Sequence, residues 1–140
     1  MELSREIAGK LLISMWRSFY YANKNAENVF VSNGLSFTQF AVLELLYNRG
    51  EFTVKQITEK VLSTGGNITL VIQKLEKDEL ISRKPNPRDK RSYFIAITDK
   101  GRELMDVVFP AVMDAIESYF SRITKEDAET VVAILRKLRR

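Results

Sequence analysis

The residues best suited to a chemical role lie in a short basic segment, from Arg83 to Arg91. Five of its nine residues are cationic and only Asp89 is acidic, so the segment carries a net charge of +4, equal to that of the whole chain. The five cations are Arg83, Lys84, Arg88, Lys90 and Arg91. Concentrated positive charge suits a polyanion, and nucleic acid is the commonest one. A solvated charged loop has the same composition, so charge alone leaves both readings open.

Side chains that other chemistries need are missing from this chain. It contains no cysteine and no histidine, which excludes disulfides and thiolate nucleophiles and removes the usual ligands of zinc and other transition metals. Gly65-Gly66 lacks a lysine at the spacing of a phosphate-binding loop, and there is no nucleophile motif. We therefore expect no enzyme activity, no metal site and no cofactor.

Length and hydropathy favour one globular domain over residues 1–140. An apolar content of 45% is enough for a buried core. Apolar runs are all shorter than the roughly 18 to 20 residues that span a bilayer, and the first residues do not resemble a signal peptide. The sequence thus favours a cytoplasmic protein without a membrane partner.

Helical periodicity divides most of the chain into six helices. The first is predicted over residues 3–27 and is followed by a loop from Asn28 to Gly34. The second and third have capping-box spacing at their starts, formed by Ser36 with Gln39 and by Thr53 with Gln56. The buried face of the second helix is expected to hold Phe37, Phe40, Leu43, Leu46 and Tyr47.

The later helices are bounded by similar signals. A turn over 62–66 separates the third helix from a fourth that runs to about Glu79. Thr98 and Thr124 are predicted to begin the fifth and sixth helices, and Pro110 predicts a kink or a break in the fifth.

A β-hairpin is predicted between the fourth and fifth helices. Strands over 80–84 and 92–97 flank a turn over 85–89, because two prolines within three residues exclude a helix and a central strand. Its tip carries the basic segment. Two short helices joined by a tight turn and followed by such a hairpin have the order of a winged helix-turn-helix. The predicted fold class is therefore mainly α, with a small β-hairpin wing and additional terminal helices.

The outward face of the fourth helix is the candidate for base contacts. Successive residues of a helix are rotated by about 100°. When Ile68, Ile72 and Leu75 face inward, the opposite face therefore holds small or polar side chains and no acidic residue. Amide side chains can bind adenine, and methyl groups can pack on thymine. A plain surface helix would also be polar outward. The predicted contact residues of this helix and the preceding turn are Ser63, Thr64, Gly66, Asn67, Thr69, Leu70, Gln73 and Lys74.

The hairpin tip completes the predicted DNA-binding set with Arg88, Asp89, Lys90 and Arg91. A basic loop at the end of two strands can reach a minor groove, where a narrow groove favours arginine. Asp89 stands two residues before Arg91, so its carboxylate is expected to orient the guanidinium through a bidentate pair.

Segments 1–30 and 99–140 exceed what a DNA-binding part over 35–98 needs. Their apolar faces require a partner, and we expect a second copy of the chain to supply it. A homodimer would also present two recognition helices roughly 34 to 36 Å apart, the spacing of half-sites in a pseudo-palindrome. These faces consist of Ile7, Leu11, Met15, Val112, Ile116, Phe120, Val131, Leu135 and Leu138.

Three stretches of the sequence resemble the MarR family of bacterial regulators. The stretch Gly66–Lys77, GNITLVIQKLEK, is similar to the family's recognition helix, and Leu80–Arg83 is similar to the segment that leads into its wing. The stretch from Asn86 to Gly101 resembles the wing signature, an Asp-x-Arg followed by a strand and a Leu-Thr-x-x-Gly-like helix start. Ile97 replaces the usual leucine, and Glu79 stands where the family often has glycine.

The resemblance implies a homodimer that binds duplex DNA, with the fourth helix in the major groove and Arg91 in the minor groove. Many members repress genes and leave DNA when a small aromatic compound binds. Members that sense peroxide or zinc use residues that are absent here. The aromatic residues that could line a cleft between the first, second and fifth helices, or simply form core, are Trp16, Phe19, Tyr20, Phe40, Tyr47 and Phe109.

A non-catalytic winged-helix protein-interaction module is the alternative function. Such a module would not need the basic tip or the acid-free helix face. Salt-dependent binding to DNA separates the two functions.

Overall fold

The computed structural model of the chain describes residues 2–61 and 68–139. These ranges form α1 (Arg5–Ser32), α2 (Phe37–Arg49), β1 (Phe52–Thr53), α3 (Val54–Val61), α4 (Ile68–Lys77), β2 (Ile81–Pro85), β3 (Tyr93–Ile97), α5 (Asp99–Phe120) and α6 (Lys125–Arg136). The predicted fold class, mainly α with a small β wing, is confirmed.

Residue contacts divide the chain into two compact units. Unit 2 covers residues 27–112 and contains the sheet, α2, α3, α4, the end of α1 and the first half of α5. It extends beyond residues 35–98 on both sides, and the assignment of DNA binding to 35–98 remains a prediction. Its most deeply buried side chains are Val42, Leu43, Leu46, Ile57, Ile72, Leu75, Ile95, Met105, Val108 and Val112.

Unit 1 combines residues 1–26 with residues 113–140. Within it, the Asn25 Nδ2 group donates a hydrogen bond to the Ala115 carbonyl oxygen at 2.5 Å. Many apolar side chains of this unit remain exposed, among them Ile7, Leu11, Met15, Phe120, Val131 and Leu138. The prediction that Val112 belongs to the same exposed apolar face is wrong, because its side chain is buried in the core of unit 2.

The sheet has three antiparallel strands in the order β1-β3-β2. Arg83 of β2 lies opposite Ile95 of β3, and Ile95 is also opposite Phe52 of β1. The strand β1 was not predicted, since two residues are too short to display a period. Pro85 was predicted in the turn but ends β2, where an edge strand tolerates its missing N–H group.

Local capping signals placed four helix starts correctly. Side-chain and backbone groups form reciprocal capping boxes between Ser36 and Gln39, between Thr53 and Gln56, and between Thr124 and Asp127. At the start of α5, the Thr98 hydroxyl accepts a hydrogen bond from the Gly101 N–H at 3.0 Å.

The end of α1 differs from the prediction. The helix continues to Ser32 because Ala26 and Phe30 extend its buried face. Gly34, with φ of 68°, then closes it with the hydrogen bonds of a Schellman motif, in which the Leu35 N–H donates to the Phe30 carbonyl oxygen at 2.9 Å.

Two further predictions about helices are corrected. Of the kink or break predicted at Pro110, the break is wrong, because α5 runs continuously from Asp99 to Phe120 and includes Pro110. Phe37, expected on the buried face of α2, is 41% exposed, while its ring contacts Phe30. No single helix in the described ranges is long and apolar enough to cross a membrane; α1 and α2 meet that test only as a bent pair.

Candidate nucleic-acid interface

The helix α4 has the orientation that its periodicity predicts. Ile68, Ile72 and Leu75 are buried, and Val71 is half-buried. The opposite face is open to solvent and includes Leu70, which is 60% exposed. The described contact candidates on this face, all exposed, are Thr69, Leu70, Gln73 and Lys74. The remaining candidates, Ser63, Thr64, Gly66 and Asn67, lie outside the described residues.

The last turn of α4 is fixed by both backbone and side-chain contacts. The Leu80 N–H donates to the Leu75 carbonyl oxygen at 3.0 Å, and Glu79 takes a left-handed conformation with φ of 63°. These are the features of a Schellman motif in which glycine is the usual residue at the position of Glu79. The Lys74 ammonium lies 3.1 Å from the Asp78 carboxylate, which partly compensates its charge.

The base of the wing is bonded to the start of α5. The Thr98 hydroxyl donates to the Glu79 carbonyl oxygen at 2.7 Å, and the Thr98 N–H donates to the Leu80 carbonyl oxygen at 3.1 Å. The Lys100 ammonium donates to the Asp78 carbonyl oxygen at 2.9 Å. The end of α4, the hairpin and α5 are therefore linked through one short stretch of backbone.

Two of the five cations in the basic segment are paired with acids from other elements. Arg83 Nε donates to Glu76 Oε2 at 2.8 Å, and Lys84 Nζ lies 2.5 Å from Glu51 Oε1. The tip alone then retains three cations against Asp89, a net charge of +2. The three cations are Arg88, Lys90 and Arg91. In residues 2–61 and 68–139, no three acidic side chains lie together as a metal site.

The wing tip is ordered by two side chains that bond to backbone. Asn86 Oδ1 accepts from the Arg88 N–H at 3.0 Å, and Asp89 Oδ1 accepts from the Arg91 N–H at 2.9 Å. The prediction of a bidentate pair between Asp89 and Arg91 is wrong. The Asp89 carboxylate binds the backbone N–H of Arg91, and its contact with the Arg91 guanidinium is to Nε, at 3.6 Å. The Arg91 side chain is 93% exposed and available to a partner.

Sequence reasoning missed the role of Asn86. Its Nδ2 group also donates to Ser92 Oγ at 2.9 Å, which joins the two ends of the wing-tip loop. The signal was available, since asparagine two residues before an N–H group in a turn commonly accepts its hydrogen bond.

The six aromatic residues predicted for a ligand cleft fall in both units. Phe40 is buried and packs on Phe30 with ring centroids 5.0 Å apart. Tyr47 and Phe109 are half-buried with centroids 6.0 Å apart. The remaining three, all more than half exposed in unit 1, are Trp16, Phe19 and Tyr20.

Tyr47 has a distinctive electrostatic environment. Its hydroxyl donates a hydrogen bond to the Asp106 carboxylate. This bond, followed by partial desolvation and the negative charge of Asp106, raises the pKa of the phenol, while the charge of Arg102 lowers it. The hydrogen bond between Tyr47 and Asp106 also links α2 to α5.

Comparison with known proteins gives one family. The model of the MarR family matches residues 35–93. The transcriptional regulator MhqR of Bacillus subtilis (strain 168) is 37% identical over 129 residues, which cover 92% of this chain and 89% of that protein.

Solved structures agree on the fold. Sco3205, a MarR family regulator from Streptomyces coelicolor solved in complex with DNA, superposes with a TM-score of 0.74 at 23% identity, covering 99% of this chain and 89% of the other. BpsR of Bordetella bronchiseptica, whose DNA binding is regulated by 6-hydroxynicotinic acid, superposes with a TM-score of 0.82 at 20% identity, covering 92% and 98%.

Proposed function

This chain belongs to the MarR family and is a winged helix-turn-helix transcriptional regulator, and we propose that it represses transcription as a homodimer on a pseudo-palindromic DNA duplex. In this proposal α4 enters the major groove and Arg91 enters the adjacent minor groove. The observation that carries the proposal is the wing tip, where an almost fully exposed Arg91 side chain projects from a loop that Asn86 and Asp89 hold in one conformation.

The outward face of α4 supports the same function. Gln73 can make a bidentate contact with adenine, Leu70 can pack on a thymine methyl, and Lys74 supplies a positive charge. Leu70 is 60% exposed, so its methyl groups are accessible to a thymine methyl in the groove. The residues on this face carry no negative charge that would repel phosphates.

The homodimer is supported by the surface of unit 1. Exposed large apolar side chains on α1 and α6 need a partner, and a second copy satisfies them symmetrically. Two copies of α4 would then occupy half-sites roughly 34 to 36 Å apart, one turn of duplex. The two-fold symmetry of the protein is the physical reason to expect a pseudo-palindrome.

A small aromatic effector is the regulatory part of the proposal. BpsR, similar in fold, is regulated by 6-hydroxynicotinic acid. In this chain, Tyr47 and Phe109 offer half-buried rings within unit 2, and the positive charge of Arg102 acts on the Tyr47 hydroxyl. Those groups suit an aromatic ring that carries a hydroxyl substituent. We expect such a compound to lower the affinity for DNA.

The experiment that tests the function is selection of duplexes from fragmented genomic DNA. We expect repeated selection to enrich fragments that share an inverted repeat with half-sites about one helical turn apart, and sedimentation to give a particle of two chains. A promoter that contains the enriched site should be less active when the chain is expressed. Recovery of unrelated fragments, together with a monomeric particle, would contradict the proposal and favour a protein-interaction module.

A further inference from the structure

An open groove of about 370 Å³ lies beside the wing in unit 2. Its walls come from the end of β1 and the start of α3, from strands β2 and β3, and from the wing tip. The groove is therefore built by three segments that are distant in sequence and that the sheet brings together. The lining residues are Thr53, Val54, Lys55, Arg83, Asp89, Arg91, Ser92 and Tyr93.

The charges around this groove are predominantly positive. Lys55, Arg83 and Arg91 contribute three cations, and Asp89 contributes the one acid of the lining. Arg83 is held in place by Glu76 and by the face of Tyr93, whose ring centroid lies 5.9 Å from the guanidinium carbon. Lys55 forms no ion pair with any residue in the part of the chain that the structure describes. Its charge is thus available to an incoming anion.

We propose that this groove binds a phosphoryl group, supplied by the DNA backbone between the base contacts of α4 and the minor-groove contact of Arg91. This inference rests on the proposed function and adds Lys55 and Arg83 to the residues that contact DNA. Arg83 is suited to the task because a guanidinium already oriented by Glu76 keeps donors free for a second oxygen. Lys55 provides a flexible ammonium that a phosphate can attract as a point charge.

The groove also accounts for the pairing of Arg83 in the free protein. A guanidinium that an ion pair already holds in one orientation loses less conformational entropy on binding than an unrestrained side chain does. Contacts to phosphate position a protein on the duplex without reading the sequence. We therefore expect Lys55 to contribute equally on specific and on random DNA, whereas Gln73 should act only on specific sites.

Duplex binding measured at several salt concentrations tests the groove. Lys55→Gln removes one exposed charge with little change in length, and Lys125→Gln is the matched control, because Lys125 lies on α6 in unit 1 and does not line the groove. The slope of log affinity against log salt should become shallower by about 1 for each half-site bound by a Lys55→Gln chain. We expect the slope for Lys125→Gln to equal that of the wild type. Equal slopes for the two variants would overturn the inference.

Duplexes with a single methylphosphonate locate the contact. One neutral position in each half-site should weaken the wild type more than it weakens Lys55→Gln, which keeps only the Arg83 contact to that phosphate; equal losses in the two proteins at every position would overturn the groove. Inorganic phosphate in place of chloride, at equal ionic strength, identifies the source. If the wild type loses more DNA binding in phosphate than in chloride, and Lys55→Gln does not, the groove also binds the free ion. If the wild type binds DNA equally in the two salts, the groove binds only the phosphates of the DNA backbone.

Absence of all duplex binding would overturn the proposed function as well. Normal duplex binding without an effect of Lys55→Gln would overturn only the groove.

Discussion

Gly101 packs directly against the backbone of Leu80: a β-carbon at Gly101 would lie 2.2 Å from the Leu80 carbonyl oxygen and 2.8 Å from Cγ1 of Ile97. The same carbonyl oxygen accepts the Thr98 N–H. The first turn of α5 therefore approaches the base of the wing more closely than any side chain permits. Glycine is a poor helix former, and this contact is the physical reason for its presence in α5.

The substitution Gly101→Ala should destabilise the protein by about 2 kcal/mol or more, because backbone cannot move aside as a flexible side chain can. Urea unfolding measures the change. Gly9→Ala is the control, since nothing lies within 4 Å of a β-carbon at Gly9 inside α1, and it should stabilise by about 0.5 to 1 kcal/mol. A Gly101→Ala protein as stable as the wild type would show that the contact at Leu80 is absent.

Glu79→Gly should raise the free energy of unfolding by about 1 kcal/mol, because Glu79 has a left-handed backbone that favours glycine. The ion pair with Lys100, at 3.8 Å between two exposed side chains, contributes little. Glu79→Ala loses the same ion pair and keeps the strain, so its unfolding should resemble that of the wild type. Equal stability of the glycine and alanine variants would contradict the account.

Asn86→Ala should weaken specific duplex binding about tenfold, since two hydrogen bonds of about 1 kcal/mol each order the wing tip. The bonds are those to the Arg88 N–H and to Ser92 Oγ. Asn86→Ser retains an acceptor for the first bond and should fall between the alanine variant and the wild type. Fluorescence anisotropy gives the three affinities, and equal values would mean that the loop needs no such order.

Tyr47→Phe should be less stable than the wild type at neutral pH and should lose that disadvantage in alkali. The bond to Asp106 raises the pKa of Tyr47 in the folded state, so its contribution is complete below the unfolded pKa of about 10 and disappears as the pH rises through the folded value. Thermal unfolding of both proteins between about pH 8 and about pH 11 measures the difference. A difference that stays constant over this range would contradict the linkage.

Much of the fold followed from local sequence signals. Capping-box spacing at Ser36 and Thr53 placed two helix starts, and Thr124 placed a third, because the capping partners lie within one turn. The orientation of α4 followed from its apolar period. In the candidate site, the exposed tip with Arg88, Lys90 and Arg91 was predicted from its basic composition together with the turn and strand signals of the hairpin.

The remaining features depend on residues that are distant in sequence. Arg83 pairs with Glu76 seven positions away, and Lys84 pairs with Glu51 across 33 positions. The strand β1 exists only because β3 provides its partner. The groove beside the wing requires α3 and the hairpin together. No pattern within a single element contains this information.

Anisotropy titration of labelled duplexes at several salt concentrations, with wild type, Arg91→Ala and Arg122→Ala, tests the central claim most directly. Arg122 is an exposed control outside the wing. The account predicts selective binding to an inverted repeat, log affinity that falls linearly with log salt, and a loss of about 1 to 3 kcal/mol for Arg91→Ala alone. If no duplex binds more tightly than random DNA at low salt, or if the two variants behave alike, the wing does not read DNA and the account is contradicted.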